Sequence, residues 1–348
     1  MSTVISLSST LASRWFFSPV GCFMATLVLA ILGLSPTKGQ VFTVNPTTDD
    51  LYVYSLDGQL MNAISMSAYG ITGAHSLALV GNNLYIAGQS SIVDSYNITT
   101  GAITKGVCSV SGSATIQYLA PQWGTGLATA PIFMEVATGG TVELYEYYTS
   151  TGVFDNVGTE FDGSSTKVSY SGTPGKCCDA DGMWCYTASA TGGIKCMDVS
   201  GTVDGSYAGN IGTDIGSAGL FSSYVAYGNT VYELSSTLAL ISSNYITAPS
   251  GQTFSVMSVD GLNKYIYLMS NTGALYQYQV GNNSQGVPLV PALTATLASS
   301  SSMAAGATDM AISYSTGVYL NTPPAGTLTA SVPIIKTGAS VTLTWTLN

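Results

Sequence analysis

An all-β fold is predicted for this chain by three observations. A unit of short aromatic strand, small-residue gap, second strand, Thr-Gly or Asp-Gly turn and third strand is complete at Leu84 to Val107, as LYIAG, SIVDSYN, TTG and AITKGV. Parts of that unit return at LYVYSLDGQL, VELYEYYTSTGVF, IKCMDVSGTVDG, VYELSSTLALI and YIYLMSNTGALYQY. These segments are strands and turns with no helical period. Self-similarity at about 40 to 50 residues, built this way, is the mark of a radial array of small sheets, a β-propeller.

Each blade is then read in order. QVFTVN and LYVYSL open the β region, and Asp57-Gly58 turns the chain into QLMNAISM. HSLALV, NLYIAG, SIVDSYN and AITKGV make one complete blade. IQYLAP, PIFMEVA, TVELYEYY and VFDNVGTEF make the next, with turns at Gly139-Gly140 and Thr151-Gly152. VSYSGT, GMWCYTA, GIKCMDV and VDGSYAG fit a fourth more loosely, with residues 175 to 181 read as a protruding loop. A fifth takes SAGLFSS, YVAYG, TVYELSS and LALISSNYI, and a sixth takes TFSVMSVD, KYIYLMS, ALYQYQV and VPLVPALTA. DMAISYS and GVYLN are left over, and they fit if strands from both ends of the chain complete one blade. That arrangement gives six blades; counting 41 to 66 separately gives seven. The expected domains are a leader or anchor at 1–39, the propeller at 40–321 and a β-hairpin tail at 322–348.

Composition narrows the function. Charged residues make up 7% of the 348, against about 25% in ordinary soluble proteins. Hydroxyl and amide groups, with 22 Tyr, must therefore keep the surface wet. One Arg and seven Lys against eighteen Asp and Glu give a net charge of −10 and no basic stripe, which argues against nucleic-acid binding. So few carboxylates also generate little self-repulsion when protonated, so tolerance of acid is expected.

Arg14 precedes residues 15 to 34, WFFSPVGCFMATLVLAILGL, a run without charge. Twenty residues of helix span about 30 Å, the hydrocarbon core of a bilayer, whereas a cleaved signal carries about 7 to 15 apolar residues. A transmembrane anchor and a signal peptide both remain open, and both place the rest of the chain outside the cytoplasm. Expected localisation is therefore extracellular, or membrane-anchored facing outward.

Of six cysteines, Cys22 lies in the apolar run and Cys177, Cys178, Cys185 and Cys196 crowd together. Zinc is disfavoured, because the paired Cys-x-x-Cys spacing is missing and no His is near. If MWCYTA and GIKCMD form a hairpin around residues 189 to 192, Cys185 and Cys196 fall opposite each other, and a cross-strand disulfide is expected. Asn97 and Asn282 head acceptor sequons for glycosylation.

Catalytic signals are absent. His75 is read as a polar strand-end residue, because no nucleophile elbow or orienting acid accompanies it. Glu135, Glu143, Glu146, Asp155, Glu160 and Asp162 concentrate in one blade and raise a glycosidase alternative. Strand alternation does not converge Glu143 with Glu146. Asp179 and Asp181 lack the later ligands of a calcium loop. No cofactor, metal or catalytic residue is assigned. Trp123, Trp184, Tyr145, Tyr147, Tyr148 and the tyrosines from Tyr265 to Tyr278 are candidate stacking surfaces, with packing between blades as their simpler role.

The order LYIAG, SIVDSYNI, TTG resembles the Tyr-Val-Thr-Asn-type repeat propellers of surface and envelope proteins, and more distantly the quinoprotein-like propellers. The resemblance implies scaffolding or recognition and carries over no functional residue. TPPAGTLTASVPIIKTGASVTLTWTLN resembles the first two strands of an immunoglobulin-like module. A lone hairpin is marginal and exposes an edge, so the tail is expected to fold onto the propeller or to add strands to another subunit. The reading that follows is a non-enzymatic surface propeller of a cell envelope or a virion surface or tail, from an acidic or hot habitat. Its expected partners are other copies or envelope proteins through the tail, with glycans as further candidates and the membrane through 15–34 if that run is retained. A carbohydrate-active enzyme and a lectin-like binder are the alternatives.

Overall fold

The computed structural model describes residues 3–8, 39–56, 59–121, 131–156, 169–171, 174–179, 185–189, 193–197, 203–208, 214–217, 222–235, 237–260, 264–280, 290–299, 306–313, 327–330 and 340–346. The chain divides into two compact units: residues 39–98 with 102–314, and residues 1–38, 99–101 and 315–348. Strand β1 (Thr3–Ser8) belongs to the second of these.

The larger unit is a β-propeller. Strands β2 (Gln40–Asn45), β3 (Asp50–Ser55) and β4 (Leu60–Ser65) run antiparallel. The next sheet is β5 (Ser76–Val80), β6 (Asn83–Ala87), β7 (Ile92–Asn97) and β8 (Ile103–Ser109). After it come β9 (Thr115–Pro121), β10 (Pro131–Thr138), β11 (Thr141–Tyr148) and β12 (Val153–Asn156), with β13 (Ser169–Ser171) also paired to β11. Then follow β14 (Cys177–Asp179), β15 (Cys185–Ser189), β16 (Gly193–Met197) and β17 (Val203–Tyr207). Strands β18 (Asp214–Ser217), β19 (Ser222–Tyr227), β20 (Thr230–Ser235) and β21 (Leu240–Thr247) make another sheet. Strands β22 (Phe254–Asp260), β23 (Tyr265–Ser270), β24 (Ala274–Gln279) and β25 (Ala292–Ser299) make the one after it. Finally β26 (Asp309–Ser313) pairs with β2, so both ends of the unit share one sheet.

The first strand of each sheet packs against the first strand of the next: β5 on β9, β9 on β14, β14 on β18, β18 on β22, β22 on β26, and β26 back on β5. That sequence of contacts closes the ring. Middle strands are covered by a neighbouring sheet on each side, so they carry unbroken apolar runs: Tyr265–Ser270 is buried after its first residue. Rim strands are wet, as in Leu60–Ser65, where no residue is buried. The core lies between sheets. Ala78, Tyr85 and Val93 pack on Ile132, Met134 and Val136, Tyr224 and Val231 on Phe254, Ile266 and Leu268, and Val41 and Tyr54 on Val256, Tyr267 and Ile312. Each of the Val, Ile, Leu, Met and Phe side chains among these contributes about 1.5–3 kcal/mol of burial.

Exposed sheet edges invite pairing with other chains, and proteins blunt them with charge or bulges. With so few charges available, this chain uses bulges. Register shifts fall at the outermost strand pair of five sheets: β3 with β4, β7 with β8, β16 with β17, β20 with β21, and β24 with β25.

Several expectations are corrected. Five blades have four strands each, while the β9 sheet takes β13 as a fifth, in place of six or seven like blades behind an apolar helix. Among the described residues no helix is long and apolar enough to cross a membrane. The first described segment, Thr3–Ser8, is a strand, and the apolar run 15–34 lies outside the described residues. VSYSGT contributes β13 to the preceding sheet, and the expected loop at 175–181 instead supplies the inner strand Cys177–Asp179. DIGS replaces SAGLFSS as the inner strand of its blade, because SS of that segment already begins β19. Among the described residues no disulfide is formed, and Cys108 is free and buried. The expected Cys185–Cys196 bond fails on register: Cys185 lies opposite Met197, and Cys196 opposite Tyr186. A one-residue slip puts the two positions on opposite faces of the pleat.

In the smaller unit, β27 (Thr327–Ala330) and β28 (Ser340–Thr346) form the expected hairpin, and β1 pairs along the other side of β28, Thr3 opposite Trp345. A three-stranded sheet built from both chain ends thus stands where two strands of an immunoglobulin-like module were expected.

Closure yields one prediction. Gly39 has φ +110°, and a Cβ there would lie 2.6 Å from the Ser313 carbonyl of β26. Gly39→Ala is expected to destabilise the propeller by about 1–3 kcal/mol, seen as a lowered urea midpoint. An unchanged midpoint contradicts this packing.

Candidate functional site at the propeller axis

Two aspartates occupy equivalent places. Asp214 is the first residue of β18 and Asp309 the first of β26. In each, Oδ1 accepts the N–H of the following residue, from Ile215 and Met310, both at 2.9 Å. The other oxygen reaches the inner strand of the next blade. Asp214 Oδ2 accepts from the Met257 N–H at 2.9 Å. Asp309 Oδ2 accepts from the Leu77 N–H at 2.8 Å and the Ser76 hydroxyl at 2.7 Å. Ser76 Oγ in turn accepts from the Leu119 N–H at 3.0 Å, which extends the chain of bonds to β9. A short acid at the head of an inner strand is thus a staple between neighbouring sheets, worth more than a neutral hydrogen bond because the acceptor is charged.

Lys176, immediately before β14, projects between these acids. Its Nζ is 3.0 Å from Asp309 Oδ1 and 3.8 Å from Asp214 Oδ2, and 5.8 Å from the centre of the Tyr118 ring. Burial alone would push the Lys176 ammonium toward losing its proton; the Asp214 and Asp309 carboxylates outweigh this and hold its pKa above the usual value. Asp214 is pushed up to about 6, by burial first and by the Asp309 charge, against the pull of Lys176. Glu135 of β10 holds the segment that delivers the lysine. Its Oε1 accepts from the Tyr170 hydroxyl at 3.0 Å and its Oε2 from the Gly175 N–H at 3.1 Å. Glu135 is fully buried, and that burial raises its pKa to about 8 despite both donors.

His75 ties two sheets. Nδ1 faces the Gly73 carbonyl at 2.8 Å and Nε2 the Gln117 carbonyl at 2.7 Å, with the ring edge-on to Tyr118. A neutral imidazole has one N–H and serves one of these carbonyls; only the doubly protonated ring donates to both. A cavity of about 290 Å³ beside it is lined by His75, Gln89, Thr115 and Gln117 with Pro46, Gly73, Gly88 and Ile116.

Of the acids singled out in the sequence, Glu135 holds the segment that precedes β14. Glu143 accepts from the Tyr145 hydroxyl at 2.7 Å, and Glu146 is buried at 1% exposure. Asp155 pairs opposite Glu146 in β12, while Glu160 and Asp162 lie outside the described residues. Asp179 ends β14, and Asp181 lies outside the described residues. Among the described residues no group of three or more His, Cys, Asp or Glu is placed to hold a metal. Tyr145 stacks on Phe154 at 4.7 Å, and Tyr147, Tyr276 and Tyr278 join cores between sheets. Trp123, Trp184 and Asn282 lie outside the described residues. The Asn97 amide donates to Asn83 at 3.0 Å. Lys176, Asp214 and Asp309 were not singled out by the sequence, although Asp followed by an apolar residue at the head of an inner strand, in DIGS and DMAIS, was a readable signal.

No family model and no curated protein sequence matches this chain. Similar solved structures include the crystal structure of a nidogen/laminin complex, at 10% identity and TM-score 0.48, covering 79% of this chain and 98% of that one. The C-terminal WD40 domain of Sif2 has 12% identity and TM-score 0.36, covering 66% and 61%, and U3-55K has 10% identity and TM-score 0.42, covering 66% and 69%. The assignment of the fold rests on the sheet order and the closed ring described above.

Proposed function

We propose that this chain is a non-enzymatic extracytoplasmic propeller that scaffolds or recognises at a cell or virion surface. The observation that carries this reading is where part of its scarce charge goes: in a chain with 7% charged residues, Lys176, Asp214 and Asp309 join inner strands and Glu135 holds the segment before β14. Burial of Glu135 and Glu146, and the engagement of both His75 nitrogens by carbonyls, support the absence of catalysis. The repeat grammar that resembles Tyr-Val-Thr-Asn-type surface propellers supports a surface role, and the apolar run at 15–34 supports export.

The partner-binding element in this reading is the tail. The β27–β28 hairpin, with β1 beside it, presents strands to other copies or to envelope proteins. Deleting residues 322–348 is expected to leave a folded propeller of lower oligomeric state, measured by light scattering on a sizing column. An unchanged assembly contradicts the tail's role. The cavity beside His75 favours a second reading, a lectin-like binder of small neutral glycans, which a glycan array tests.

A further inference from the structure

We propose that Lys176 and Asp309 join covalently, through an autocatalytic amide bond between Lys176 Nζ and Asp309 Cγ that locks the ring shut. Four features of the axis converge on this reaction. The nucleophile is in place, with Nζ 3.0 Å from Asp309 Oδ1. The oxygen that would carry charge in a tetrahedral intermediate, Asp309 Oδ2, already receives the Ser76 hydroxyl at 2.7 Å and the Leu77 N–H at 2.8 Å, the geometry of an oxyanion hole. A second carboxyl, Asp214, lies 3.8 Å from the same Nζ and can carry protons between nitrogen and leaving oxygen. Asp214 and Asp309 are buried and the Lys176 Nζ is shielded from water, although 13% of the lysine side chain is exposed, so the reacting groups are held together in one molecule.

The step balances without an oxidant or any co-reactant. Asp214 takes one proton from the ammonium and passes it to Asp309 Oδ1, and the freed amine attacks the now neutral carboxyl at Cγ. The Cγ–Oδ1 bond breaks as Oδ1 leaves its Met310 N–H contact and departs as water with two of the three ammonium protons, relayed by Asp214; the third stays on the amide nitrogen. A buried cation and a buried anion become one neutral amide, which removes two desolvated charges. The bond links the segment entering β14 to the strand that completes the first sheet, so it fastens the ring across its axis.

Intact-mass measurement on the denatured full chain tests the proposal, followed by proteolysis and peptide mapping. The expected results are a mature chain lighter by one water than its sequence, and a branched peptide joining the segments around Lys176 and Asp309. Lys176→Arg and Asp214→Ala are each expected to restore the full mass and abolish the branched peptide. Denatured wild-type protein of full sequence mass, with Lys176 open to an amine-reactive label, overturns the proposal whether or not the variants fold.

Discussion

Lys176→Met is expected to lower the stability of the propeller by about 3–5 kcal/mol, because without the lysine both aspartates stay ionised and buried without their partner. The side chain has nearly the same length, so lost packing contributes little. What remains is two buried aspartates with no lysine between them. Asp309 cannot simply turn away, because its Oδ2 is fixed by Ser76 and Leu77 and its Oδ1 by Met310. Asp214 is held in the same way by Met257 and Ile215. Adding Asp214→Asn to Lys176→Met removes one of the stranded charges while keeping an acceptor for the Met257 N–H, and should recover part of the loss. Urea denaturation of the three proteins measures both effects. A loss below about 1 kcal/mol for Lys176→Met would place the lysine among ordinary surface ion pairs.

Stability is expected to rise as the pH falls from about 8 toward 4.5. Glu135 has its pKa raised from 4.5 to about 8 by burial, so across that window the folded chain holds a proton that the unfolded chain releases. Its contribution is complete below the unfolded value and is lost as the pH climbs through the folded one. Asp214, raised from 3.8 to about 6, acts in the same direction over a lower window. One pKa unit corresponds to about 1.4 kcal/mol, so the Glu135 window has a ceiling of roughly 4–5 kcal/mol. The melting temperature should therefore be higher at pH 5 than at pH 8, and Glu135→Gln, which stays neutral throughout, should flatten much of the slope. A melting temperature that falls on acidification across this range contradicts the assignment. The result also bears on habitat, since a propeller firmest in mild acid fits the acid tolerance that its sparse charge suggests.

Legibility in the sequence followed strand length and burial. The strands β5–β8, β9–β12 and β22–β24 were readable in turn, because the middle strands of these sheets are covered on both sides and carry long apolar and aromatic runs such as LYIA and YIYLM, whereas β25 starts at Ala292, within the expected VPLVPALTA. Inner strands were the weak point. Cys177–Asp179 has three residues and Asp214–Ser217 carries Asp and Gly, so neither shows alternation or strong β propensity. The joining of both chain ends in one sheet was anticipated, although QVFTVN takes the central place beside DMAIS. The disulfide expectation failed on a single residue of register, which spacing alone does not fix. The axial cluster was unreadable for a different reason. Its members are separated by dozens of residues, and only closure of the ring brings Lys176, Asp214 and Asp309 together.

Closure is most directly tested by amide hydrogen exchange on the peptide containing Asp309–Ser313. Paired with β2 and bonded across to β5, these amides should exchange as slowly as those of Ser76–Val80 and Phe254–Asp260, opening only when the whole propeller unfolds. Rapid exchange at 309–313, while the other inner strands stay protected, would mean that the chain ends do not meet and that the ring is open.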